Sequence, residues 1–191
     1  MFSISLMLFI KLTIGTYQPP DSCRYIYWND DLEIGVEAFK GLTGSIPFDN
    51  EGFKAVSKTE IIIKTYSSDD TIGFKVINRF DQEESWIADK TGISSTLLSH
   101  ERFHFNISEV YARKIRKYLN DWVHNCEDYS STGYMNGVNM LFEERNKRQH
   151  KYDLETGHGT NYEQQKKWES TVISELNILS DFKSDVGKCL E

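Results

Sequence analysis

The 191-residue chain has only three cysteines, and no two of them are spaced CxxC. A thiolate zinc site of the usual kind is therefore not expected. It also lacks a broad basic surface. Lys and Arg number 22 against 29 Asp and Glu, a net charge of −7, so no nucleic-acid partner is expected, because such a partner needs its phosphates neutralised. The run Arg113-Lys114-Ile115-Arg116-Lys117 is short and interrupted, and reads as the solvated side of a helix. There is no internal repeat or low-complexity tract. No apolar run reaches the roughly 20 residues that a membrane-spanning helix needs. The remaining composition, 27% charged and 13% aromatic, suits one folded domain with a substantial core.

Met1 to Gly15 is strongly apolar, with Phe2, Ile4, Leu6, Leu8, Phe9, Ile10 and Leu12. It reads as a secretory signal peptide, although Lys11 interrupts it and no basic segment precedes it; a buried N-terminal strand is the competing reading. With the linker around Pro19-Pro20, residues 1–22 are set apart from a single domain over 23–191. An exported chain permits one disulfide, and Cys126 with Cys189 is the pair expected to come within about 7 Å. Three reduced thiols are the alternative.

Residues 24 to 80 read as strands and turns. Tyr25-Ile26-Tyr27-Trp28, the Ile61-Ile62-Ile63 run and the alternating Ile72, Phe74, Val76 predict a small antiparallel or mixed sheet. A long helix is predicted over 91–123, capped by Ser94 or Ser95. A second is predicted over 134–149, then a compact polar stretch at Tyr152–Gly159, and a third helix over 161–182.

The long helix contains His100-Glu101-Arg102-Phe103-His104, which reads HExxH. Residues four apart share a helical face, so His100 and His104 can hold one metal ion. Glu101, about 100° further round, can take a proton from a metal-bound water without being a ligand. Glu109 lies about 180° from His100 and should point elsewhere. Two buried histidines without a metal are the bland alternative. A catalytic zinc site takes three protein ligands and leaves one position open, so a distal ligand is needed. The segment Tyr152-Asp153-Leu154-Glu155-Thr156-Gly157-His158-Gly159 is the richest source. His158, flanked by glycines that let the backbone bend close, is the favoured third ligand, with Asp153 or Glu155 as alternatives. Tyr152, or else Tyr134 or a backbone donor, is the expected oxyanion stabiliser. Asp153 or Glu155 would orient a ligand histidine. The sequon Asn106-Ile107-Ser108 lies inside the helix and reads as accidental.

The stretch from Leu97 to Arg113, with Trp28, Phe39-Lys40-Gly41, Ser85-Trp86 and Tyr152–Gly159 followed by Gln165 and Trp168, resembles a bacterial domain family of unknown function. That family is described as predicted secreted zinc-dependent proteases. The resemblance covers roughly residues 24 to 175. Arg102-Phe103 departs from the Gln-Gly common there, and Asn106 from the common Asp; neither removes a ligand. The resemblance implies an α+β zincin-like fold: a small N-terminal sheet, an HExxH helix and a helical C-terminal half. It implies a secreted, periplasmic or envelope Zn2+ metallopeptidase, read here as a monomer acting on protein or peptide. The alternative is a non-catalytic zinc-binding envelope or interaction domain.

Overall fold

The computed structural model describes residues 24–42, 54–68, 71–125 and 133–183. Over these the chain is α+β, with a small antiparallel sheet and three long helices. The proposed signal segment, Cys23, Cys126 and Cys189 lie outside the described residues, so neither the export reading nor the disulfide is addressed. Among the described residues no helix is long and apolar enough to cross a membrane.

Strands β1 (Tyr25–Tyr27), β3 (Thr59–Ser68) and β4 (Thr71–Asp81) form a three-stranded sheet in the order β1-β4-β3, antiparallel throughout. The register sets Ile63 opposite Val76 and Ile61 opposite Asn78. The period-2 alternation thus puts Ile61, Ile63, Phe74 and Val76 on one face. The long helix α1 (Ser95–Asn125) lies across that face, burying Ala112, Ile115 and Leu119 against it. A smaller ladder pairs β2 (Ala55–Val56) with β5 (Trp86–Ile87), and its Trp86 is buried. Ser94 caps α1 by accepting the Leu97 N–H at 3.1 Å. The sequon is closed to a glycan here: Ile107 and Ser108 are fully buried, and Asn106 Oδ1 accepts the Trp28 indole N–H at 2.9 Å.

Helix α2 runs from Gly133 to Thr156, a full two turns past its predicted end. The predicted polar stretch is therefore mostly helix. Its polar side chains face inward, so the apolar stripe that marks an amphipathic helix is missing. α2 packs antiparallel on α1. Tyr118 meets Gly137, Ser108 meets Arg145, His104 meets Gln149 and His100 meets Asp153, so each turn along one helix is a turn back along the other. α3 (Tyr162–Ile178), capped by Asn161, completes the layer, and a 3₁₀ turn at Ser180–Phe182 follows. It takes the place of the last turn of the predicted helix.

Glu109 points away from His100, as the helical angle requires. It is fully buried, and its Oε1 accepts from Arg113 Nε at 3.2 Å and Arg116 Nη1 at 2.8 Å. Those arginines reach on to the carbonyls of Leu176, Phe182 and Val76, tying α1 to the sheet and to the end of α3. Removing one partner of such a buried set leaves charge uncompensated. Glu109→Ala is expected to cost about 3–5 kcal/mol of stability, read by denaturant unfolding, while the zinc stoichiometry of the folded fraction stays unchanged.

Candidate metal centre

The helical spacing of the motif puts both imidazoles on the α2-facing side of α1. His100 is 1% exposed and His104 is half-buried. Their Nε2 atoms lie 3.2 Å apart. Asp153 Oδ1, brought up by α2, is 3.1 Å from His100 Nε2 and 3.0 Å from His104 Nε2. Three ligand-type atoms thus form a nearly equilateral triangle. Donors held about 2.0–2.1 Å from a tetrahedral zinc stand roughly 3.3 Å apart, so the triangle has the size such an ion requires. His100, Asp153 and His158 also have ligand-type atoms within 4.8 Å of one another. That set is looser, and the smaller triangle with His104 is the better fit.

The hydrogen bonds behind the rings decide which nitrogens carry protons. Gln149 donates its amide N–H to the His104 carbonyl at 2.9 Å, which turns its Oε1 toward His104 Nδ1 at 2.7 Å. Thr156 donates its hydroxyl to the Tyr152 carbonyl at 2.6 Å and leaves its lone pairs facing His100 Nδ1 at 3.2 Å. Gln165 donates to Glu169 at 3.2 Å, so its Oε1 faces His100 Nδ1 at 3.3 Å. Each Nδ1 therefore meets acceptors and bears the hydrogen. Each Nε2 lone pair then points at the same carboxylate oxygen. In the metal-free protein a proton answers part of this. Burial acts to lower the pKa of the His104 imidazole, but the Asp153 hydrogen bond and the charges of Glu101 and Asp153 outweigh it, and the pKa is raised. Burial acts to raise that of Asp153, but its bonds to His100 and His104 prevail and hold the carboxyl well below the usual range.

Glu101 is 4% exposed, and its Oε2 meets no hydrogen-bond donor. It opens with His104, Asp153 and His158 onto a cleft of about 450 Å³, whose far wall is formed by Ala55 to Thr59 and Trp86. A buried carboxylate oxygen without a donor is costly, and its place beside the triangle suits a proton acceptor.

The other expected residues stand as follows. His158 sits in the α2–α3 turn with φ +51°, between Gly157 and Gly159, which also have positive φ. Its ring is 51% exposed and its Nδ1 is 3.8 Å from Asp153 Oδ1, beside the triangle rather than in it. Gly159 has a close-approach role: a Cβ there would lie 2.8 Å from His100 Cβ. Tyr152 differs from the expected oxyanion donor. It is fully buried and stacked on the His100 ring at 4.5 Å, and its hydroxyl is engaged by the His100 carbonyl and Gln165. It positions His100 from behind, away from the cleft. Glu155 also differs from expectation: it is exposed and accepts from the Trp168 indole N–H at 2.9 Å, on a separate groove between α2 and α3. Tyr134 packs with Phe74 and Trp122 at the other end of α2. Gln149 and Thr156 were given no role by the sequence reading, and Gln165 entered it only as part of the resemblance. The helical offsets of Gln149 and Thr156 from Asp153, i−4 and i+3, were the available signal once α2 was extended.

Comparison with protein-family models, curated proteins and solved structures yields no match to this chain. The reading of the site therefore stands on its own geometry. Asp153→Ala is expected to weaken zinc binding by more than about 100-fold, beyond the 10- to 100-fold typical of a residue that only supports a ligand. His158→Ala should change it by less than about tenfold. Competition titration with a chromophoric chelator reads both, and the reverse ranking would restore His158 as third ligand.

Proposed function

We propose that this chain is a zinc-dependent peptidase with a zincin-like active site. The observation that carries the reading is the convergence of two imidazole lone pairs on one carboxylate oxygen, an arrangement that a divalent cation would satisfy. In this reading His100, His104 and Asp153 hold the metal, three ligands with a position left for water and substrate. Zinc bound there would supply a Lewis acid and a water whose pKa falls to about 7. Glu101 is placed to hold a proton at Oε2 and would pass it to the departing amine. The adjoining cleft would admit an extended chain. Tyr152, Gln165, Thr156 and Gln149 fix the rings so that no reorganisation is needed when the metal binds.

The resemblance of residues 97–113 to predicted secreted zinc proteases supports the same reading, and the apolar run over residues 1–15 supports action outside the cytoplasm. The donor-less Oε2 of Glu101 favours catalysis over a purely structural zinc, since a structural site has no use for a base beside it.

Glu101→Gln separates binding from chemistry. It is expected to keep stoichiometric zinc and to lose hydrolysis of a quenched-fluorescence peptide library by about 10²- to 10⁴-fold. A zinc-loaded parent that cleaves no peptide in that library would favour the non-catalytic domain. Equal activity of parent and variant would remove Glu101 from the mechanism.

A further inference from the structure

Arg24, Arg79, Arg113, Arg116 and Arg148 each meet a carboxylate, at 2.6 to 3.5 Å. Arg145 does not. It is half-buried on α2, and its guanidinium bonds only neutral groups among the described residues: Ser108 Oγ at 3.1 Å, the Thr59 carbonyl at 2.9 Å, Thr59 Oγ1 at 2.5 Å and Asn146 Oδ1 at 3.3 Å. Desolvation without a counter-charge lowers its pKa. A buried cation in this situation costs free energy that an anion would recover.

That guanidinium lines the same cleft as Glu101, His104 and Asp153. Two more polar groups in this cleft also lack partners. The Trp86 indole N–H is on a side chain 3% exposed, and the Ser57 hydroxyl oxygen is likewise buried. The wall therefore carries a positive charge whose hydrogen-bond partners are all neutral, beside two enclosed donors without partners.

Distance fixes what part of a ligand would reach it. Arg145 bonds Ser108, one turn beyond His104 on α1, so it stands roughly 9 Å along the helix from the midpoint of the histidine pair at 1.5 Å per residue. An extended peptide advances about 3.3 Å per residue. A chain with its scissile carbonyl at the triangle would thus bring a group about three residues away to Arg145. The Arg145 Nε and Nη2 hydrogens are engaged, so a carboxylate would be received at Nη1 as a charge-assisted hydrogen bond.

We propose that Arg145 is a specificity-determining residue that receives a carboxylate of the bound peptide, about three residues from the cleaved bond. The carboxylate comes from the peptide's own C-terminus or from an acidic side chain. The proposal deepens the peptidase reading by naming the substrate class, but its test includes binding and does not require turnover.

The probes are N-acetylated alanine tetrapeptides with a free C-terminus, with a C-terminal amide, and with an amide plus a Glu or Gln at the third position. Calorimetry measures each on the zinc-loaded and metal-free full chain. The free acid or the Glu peptide should bind at least tenfold more tightly than its neutral counterpart in both forms, and whichever shows the larger preference identifies the source. Arg145→Gln should abolish the preference, and Arg145→Lys should restore part of it. Equal binding of charged and neutral peptides by the parent would overturn the proposal. So would a preference that survives Arg145→Gln, which would assign it to Lys58 or to the metal. If Arg145→Gln does not fold, Arg145→Lys and Lys58→Gln decide instead: the preference should weaken in the first and persist in the second, and the reverse would overturn the proposal. A zinc-loaded chain that binds the acid selectively yet cleaves nothing would end the peptidase reading and leave this one standing.

Discussion

Two neutral imidazoles and a carboxylate oxygen, all within about 3.2 Å of one another, repel unless a cation or a proton lies between them. The rest of the candidate site is arranged to keep them there. The carboxylate comes from one helix and the imidazoles from another, so the antiparallel packing of α1 and α2 is a precondition of the site. The match of turns along the pair, from Tyr118 with Gly137 to His100 with Asp153, means that a slip of one turn would move Asp153 about 6 Å from its place. The buried Glu109–Arg113–Arg116 set, on the opposite side of α1, anchors that helix to the sheet and so resists such a slip.

Behind the rings lies a second layer without a ligand in it. Tyr152 stacks on His100 while Gln165 joins the two, and Thr156 and Gln149 take the Nδ1 hydrogens. These groups are buried and hydrogen-bonded, which is how polar side chains are tolerated in a core. Their bonds also set the tautomer that turns each Nε2 toward Asp153. The tight turn from Gly157 to Gly159 brings the start of α3 close enough for Gln165 to reach, and only glycine at 159 leaves room for His100.

The α+β class, the small sheet and the three helices could be read from the sequence because their signals are local. Alternation marked Phe74 and Val76, and 3.6-residue spacing marked Ile115 and Leu119. HExxH placed His100, Glu101 and His104 because one helix carries all three. The end of α2 could not be read the same way. From Gln149 to Thr156 its inward face is polar, and polarity looks like a loop when periodicity is the guide. The choice among His158, Asp153 and Glu155 was illegible for a related reason. It depends on which face of α2 meets α1, and that is a tertiary fact. His158, between two glycines, drew attention through backbone freedom, whereas Asp153 owes its place to the packing of two helices. Arg145 carried no sequence signal at all, since a cation becomes notable only when its bonding partners prove to include no anion.

The central claim is that His100, His104 and Asp153 form a zinc site. X-ray absorption at the zinc edge of the zinc-loaded protein tests it most directly. The account predicts four light-atom neighbours at about 2.0–2.1 Å, with outer-shell scattering from two imidazoles. It also predicts that Asp153→Ala loses the bound zinc while keeping the fold by circular dichroism. A spectrum showing three imidazoles, a sulfur neighbour at about 2.3 Å, or a protein that retains no zinc would contradict it.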